Sequence, residues 1–110
     1  NPRITQVYIA EGNPACELLE YVECVKLNTI PDLVQFAKQK QIDLTFVGSE
    51  ELLVAGIVDQ FEANNLVIFG PNKQAAQLEG SKVYSKEFMN KYGIKTAEHQ
   101  SYNDYAKALK

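Results

Sequence analysis

Tryptophan is absent from this 110-residue chain, and histidine and methionine occur once each. A lone histidine, His99, rules out sites built from several imidazoles, and no serine or carboxylate stands near it at a spacing that suggests a triad. It reads as an exposed linker residue. Cysteine is scarce too: Cys16 and Cys24 are the only two, too few for a disulfide framework or a zinc site, so both read as free thiols without a catalytic role. Long apolar runs are missing. The longest, Leu52 to Val58, falls well short of the roughly 20 residues that cross a bilayer as a helix, and the N-terminus lacks a charged-then-apolar signal pattern. No membrane partner and a cytoplasmic location are expected. Positive charge is not in excess: 11 Lys and Arg stand against 14 Asp and Glu, a formal net charge of -3. Without a basic stripe, nucleic acid is not an expected partner.

What is present is the balance of a soluble domain with one core, 45% hydrophobic and 23% charged. Thr5 to Ala10 mixes β-branched and aromatic residues and runs into the turn Glu11-Gly12-Asn13-Pro14, which predicts a strand with an abrupt end. Tyr21 to Leu27 reads as a short edge strand. Thr29 caps a helix with Pro31 in its first turn and Asp32 at the capping-box position, and Ile30, Leu33, Val34 and Ala37 form its apolar face. Leu44 to Val47 is a brief strand. Ser49 then caps a helix whose Leu53, Val54, Ile57, Val58 and Phe61 make one stripe, ended by Asn64-Asn65. Leu66 to Phe69 is apolar throughout, as a strand covered on both faces would be. Two helices follow, Lys73 to Glu79 and Lys82 to Lys91, parted by Gly80-Ser81, with Gly93 closing the second. Tyr84, Phe88 and Tyr92 recur at four-residue intervals and read as packing. Lys73, Lys86 and Lys91 read as solvated charges. Lys95 to Tyr102 is a linker, and Asn103 to Lys110 opens another helix with Tyr105 and Leu109 inward.

Alternating strands and helices imply an α/β domain with a mainly parallel, Rossmann-like sheet. The strong strands end in glycine turns, Gly12-Asn13, Gly48-Ser49 and Gly70-Pro71. In a parallel sheet those ends lie along one edge, where open α/β folds bind ligands.

Two side chains on that edge have chemistry to offer. Glu50 begins a helix just past a strand end. In the plain reading its carboxylate complements the helix dipole; in the sharper one it accepts a hydrogen bond from a polar or amine-bearing substrate. Lys82 opens a helix, where a cation opposes the dipole, yet a lysine beside a glycine-serine turn can share a phosphate with backbone N–H groups. Gly12-Asn13 reads as a turn first and a phosphate neighbour second.

The order Asp43-Leu44-Thr45-Phe46-Val47-Gly48-Ser49-Glu50, Val54-Ala55-Gly56-Ile57-Val58-Asp59, Phe69-Gly70-Pro71 and Ala75-Ala76-Gln77-Leu78-Glu79-Gly80-Ser81-Lys82 resembles the N-terminal domain of the glycinamide ribonucleotide synthetase family. Ser49 and Leu52 stand where that family usually carries prolines, and Glu11 replaces a proline before Gly12-Asn13. The resemblance implies a pre-ATP-grasp domain over residues 1–92, lacking the family's first strand and helix, with 93–110 as linker and the beginning of the ATP-grasp region. It also implies an expectation that the missing central strand leaves ladder groups unpaired, the gap being filled by self-association with another copy, by a rearranged segment, or by residues beyond this sequence. The activity implied is ATP-dependent ligation of glycine to 5-phosphoribosylamine in purine biosynthesis through a glycyl phosphate, by an intact enzyme that is a monomer. ATP and Mg²⁺ (or Mn²⁺) are its implied cofactors.

Lys82 is then the ATP-binding residue, and Glu50, Gly48, Gly12, Asn13, Gly70 and Pro71 line the substrate. Catalytic and metal-ligating residues are expected outside the chain, leaving it inactive alone. Two other readings stand beside this one: a non-catalytic nucleotide or phosphosugar binding module, and another ATP-grasp carboxylate-amine ligase.

Overall fold

The computed structural model describes residues 1–109; Lys110, the end of the helix expected from Asn103, lies outside the described residues. The fold is a small α/β arrangement of parallel strands and helices. It divides into two compact units, one of Asn1–Thr45 with Gln60–Val67, the other of Phe46–Asp59 with Ile68 onward.

Strands are shorter than the sequence pattern predicts and pair two by two rather than in one sheet. β1 (Val7–Ala10) lies parallel to β2 (Val22–Val25), Val7 opposite Val22 and Ala10 opposite Val25. β3 (Thr45–Phe46) pairs with β4 (Ile68–Phe69). The Thr45 amide donates to Val67 O (3.0 Å) and that of Val47 to Phe69 O (3.3 Å), so both chains advance in the same direction. Residues beyond these ladders, such as the β-branched Thr5 and the apolar Leu44, are strand-like in composition only, because backbone pairing defines the strand.

In the first unit, α1 (Ile30–Gln39) starts as expected: Thr29 Oγ1 accepts from the Asp32 amide (3.3 Å) and its hydroxyl donates to Asp32 Oδ2 (2.6 Å). Such a cap contributes about 1 kcal/mol. Ala37 is buried, and Phe36 meets Tyr8 edge-to-face at 5.2 Å between ring centroids. Lys40 Nζ lies 5.3 Å from the Tyr8 ring centre, adding a cation-π contact. Gln41 ends the helix in the left-handed region at φ 52°.

The helix expected from Ser49 through Phe61 is two helices. α2 (Glu50–Ala55) stops at Gly56, whose φ of 95° is left-handed and whose amide reaches Leu52 O and Leu53 O; α3 (Ile57–Ala63) begins at once. Glycine takes that conformation without a Cβ penalty, so it ends a helix even inside an apolar stripe. Ile57, Val58 and Phe61 after this break are buried, while Leu53 and Val54 before it are half-buried. Asn65, at φ 56°, turns the chain after α3 as expected of Asn64-Asn65.

In the second unit, α4 (Lys73–Gly80) packs on α2 with Ala76 buried, and α5 (Lys82–Lys91) follows after Ser81 alone. Gly93, at φ 66°, closes α5. α6 (Tyr105–Ala108) is a single capped turn: Asp104 Oδ1 accepts from the amides of Ala106 (2.8 Å) and Lys107 (3.4 Å). Tyr105 and Leu109, expected inward, are 80% and 70% exposed. A local cap suffices to form the turn, and one turn is too short to present a packed face.

Candidate functional site

Gly48 and Gly70 follow adjacent strand ends, since the Val47 amide is bonded to Phe69 O. The two glycines do different things. A Cβ at Gly70 would stand 2.9 Å from Leu53 Cδ2 and 3.2 Å from Val58 Cγ2, so the turn's backbone lies directly on those side chains. Around Gly48 nothing among the described residues lies within 4 Å of such a Cβ. Its surface is bare, and a ligand can approach the backbone there.

Ser49 Oγ accepts from the Leu52 amide (3.4 Å), which makes Glu50 and Glu51 the first helical residues of α2. Both are exposed, and their carboxylates complement the helix dipole, worth some tenths of a kcal/mol each. Pro71 is exposed, and Asn72 Oδ1 after it accepts from the Ala75 amide (2.9 Å). Asp59 Oδ2 accepts from the Lys73 amide (2.8 Å). The beginning of α4 is thus already filled by a carboxylate.

Ser81 serves two helices. Its amide donates to Gln77 O, ending α4, and its Oγ accepts from the Tyr84 amide (3.3 Å), starting α5. A Cβ on Gly80 would collide with Val54 Cγ2, so α4 ends in close contact with α2 through a missing side chain. Lys82, exposed, is the first residue of α5, and no acid occupies that helix's first turn. Of the helix starts near these turns, α2 carries Glu50 and Glu51; α4 opens on Lys73 with Asn72 as cap and its first amide taken by Asp59; and α5 opens on Lys82 with Ser81 as cap and no acid in its first turn, leaving first-turn N–H groups without an acceptor inside the helix. That start is suited to an anion.

Gly48, Glu50, Gly70, Pro71 and Lys82 therefore belong to the second unit, whereas Gly12 and Asn13 belong to the first. Asn13 is engaged in its own turn: Oδ1 accepts from the Ala15 amide (2.9 Å) and its carbonyl from the Cys16 amide (3.0 Å). Gly12 packs against the strands, a Cβ there falling 2.5 Å from Cys24 Sγ. Glu11 adopts φ 53°, which costs a residue with a side chain about 1 kcal/mol. Cys16 and Cys24 are thiols, not a disulfide.

Two expectations, for Lys86 and His99, are overturned. Lys86 is no solvated charge but half-buried, its Nζ donating to Thr96 Oγ1 (2.6 Å) and Ala97 O (3.1 Å). Its spacing of four from Lys82 is the signal that could have found it. Asp59 was missed as well, and a contact to Lys73 so far along the chain leaves no local trace in the sequence. His99 is half-buried beside Lys86 rather than free in a linker. Among the described residues, no group of three or more His, Cys, Asp or Glu gathers to hold a metal, and no helix is long and apolar enough to cross a membrane.

Residues 1–79 match the family model described as phosphoribosylglycinamide synthetase, N domain. A phosphoribosylamine–glycine ligase of Fusobacterium nucleatum is 52% identical over 110 residues, which is 100% of this chain and 26% of that protein. Proteins of the same name from Haemophilus influenzae (47%) and Clostridium acetobutylicum (44%) match 99% of this chain and 26% of their own length. The chain spans about a quarter of the length of the curated relatives it matches.

Proposed function

The chain belongs to the phosphoribosylglycinamide synthetase N-domain family, and from that premise we propose that it serves an ATP-dependent ligase of purine biosynthesis, joining glycine to 5-phosphoribosylamine. The reaction has two steps. A glycine carboxylate oxygen attacks the γ-phosphorus of ATP and expels ADP, and the amine of phosphoribosylamine then attacks the resulting acyl phosphate and expels inorganic phosphate. Mg²⁺ or Mn²⁺ would neutralise charge on the transferring phosphoryl group. No step is assigned to a metal held by this chain, since its described residues offer no carboxylate cluster for one.

The observation that carries the reading is the contrast among helix starts: α4 and α5 both open on a lysine without an acid in the first turn, but the first amide of α4 is taken by Asp59, whereas no carboxylate among the described hydrogen bonds takes the first amides of α5. Lys82 and the first amides of α5 are the proposed ATP-phosphate contacts. Glu50 is proposed to accept a hydrogen bond from the sugar amine, with the bare backbone of Gly48 and the turn Gly70-Pro71 beside it. Gly12 and Asn13 are proposed as substrate contacts of the first unit, with Asn13 offering backbone rather than side chain. The intact enzyme is proposed to act in the cytoplasm as a monomer on small molecules.

The test is Lys82→Ala in the intact ligase. Loss of one charge-assisted hydrogen bond, about 1.5–3 kcal/mol, raises the apparent KM for ATP by about tenfold or more while the KM for glycine holds. Unchanged ATP kinetics would take Lys82 out of the site.

A further inference from the structure

A groove of about 350 Å³ runs between α5 and the segment 99–102, and its polar lining is Lys82, Lys86, His99, Gln100, Ser101 and Tyr102. No carboxylate is among the residues that line it. Lys82 and Lys86 stand four apart on one helical face, where like charges repel by about 0.2–0.5 kcal/mol. Lys82 also opposes the helix dipole. Helix formation alone therefore argues against both lysines, and a bound anion would offset both terms.

Lys86 is the more telling of the two. An ammonium has three donors; here two go to neutral acceptors, Thr96 Oγ1 at 2.6 Å and Ala97 O at 3.1 Å. Its charge stays uncompensated by those partners although the side chain is half-buried, a position that favours a counter-ion. The same two bonds hold a long side chain still, so the ordering entropy of roughly 1.5–2 kcal/mol is lost on folding and not on binding. They also fasten the chain just before His99. Tyr102 donates its hydroxyl proton to Gln100 Oε1, which leaves the Gln100 amide nitrogen as a donor.

We propose that this groove binds a phosphoryl polyanion, with Lys86 as a second cationic ligand beside Lys82 and the 99–102 segment as the facing wall, aimed by the Thr96 and Ala97 bonds. Two ammonium groups without a carboxylate match a diphosphate or triphosphate better than a monoanion. The proposal rests on the reading of Lys82 as a phosphate contact and extends that site across the groove.

The test is a titration of the chain with inorganic pyrophosphate and with ATP at low salt, followed by amide NMR, with adenosine as the uncharged control. Saturable shifts are expected at Lys82, Val83 and 99–102 with both polyanions and none with adenosine. Lys86→Met should weaken pyrophosphate affinity about tenfold. Thr96→Val, which keeps the ammonium but releases it, should weaken affinity by less, and Lys91→Met, further along α5, should leave it unchanged. Unchanged amide dispersion in each variant shows that it is folded. If Lys82→Met abolishes binding while Lys86→Met behaves like Lys91→Met, the Lys82 reading stands and the second cation falls. If neither lysine matters, both fall. Absence of any saturable shift in the unsubstituted chain overturns the groove as an anion site.

Discussion

Gly80→Ala sets two effects of opposite sign against each other. Gly80 is the last residue of α4, and replacing a helical glycine by alanine ordinarily stabilises by about 0.5–1 kcal/mol. The new methyl, however, would collide with Val54 Cγ2. Valine cannot swing clear, because a β-branched side chain in a helix has one strongly preferred rotamer, and forced overpacking costs about 1–3 kcal/mol. The net expectation is a loss of about 1–2 kcal/mol, or a urea midpoint lower by roughly 1 M at a slope of about 1–2 kcal/mol/M. Circular dichroism at 222 nm during urea titration reads it. Val54→Ala removes the obstacle, so adding Gly80→Ala to that background should stabilise, giving a coupling of about 1–3 kcal/mol in a double-mutant cycle. A neutral or stabilising Gly80→Ala in the unaltered chain would refute the close contact between α2 and α4.

The two strand-end glycines should respond differently: Gly70→Ala is expected to cost about 1–2 kcal/mol because its methyl meets Leu53 and Val58, while Gly48→Ala stays within about 0.5 kcal/mol, as read by thermal melts. Asp59→Ala should lower stability by about 1–2 kcal/mol by leaving the first amide of α4 without its acceptor, and Asp59→Asn should recover part of that loss, measured by urea midpoints. Thr29→Ala should cost about 1 kcal/mol in the same assay through the lost α1 cap.

Caps were the most legible part of the fold. Thr29, Ser49 and Ser81 all accept from the amide three residues on, and an interaction that short is written in adjacent letters. Pairing was less legible. The apolar composition of Leu44 to Val47 and Leu66 to Phe69 marks where strands can form, but only partners across the ladder decide how many residues do, here Thr45–Phe46 and Ile68–Phe69. Gly56 was hidden because its neighbours Val54, Ala55, Ile57 and Val58 keep helical apolar spacing across the break. Tyr105 and Leu109 misled in the opposite sense, apolar spacing without anything packed on it.

For the candidate site, Gly48, Glu50, Gly70, Pro71 and Lys82 were visible as strand-end and helix-start residues. Asp59 was not, since its bond reaches Lys73 through folded geometry, and Lys86 left only its spacing of four from Lys82, its bond to Thr96 being formed in the fold.

Because Ser81 is at once the terminus of one helix and the origin of the next, the joint between α4 and α5 contains no slack. Each residue turns a helix by roughly 100°, so inserting or deleting one letter at Gly80-Ser81 would swing the Lys82 side chain to another bearing while leaving both helices intact. Variation in length among relatives should therefore collect in the polar stretch after Gly93, and homologous sequences should keep the count between Ala76 and Lys82 constant even where the letters drift.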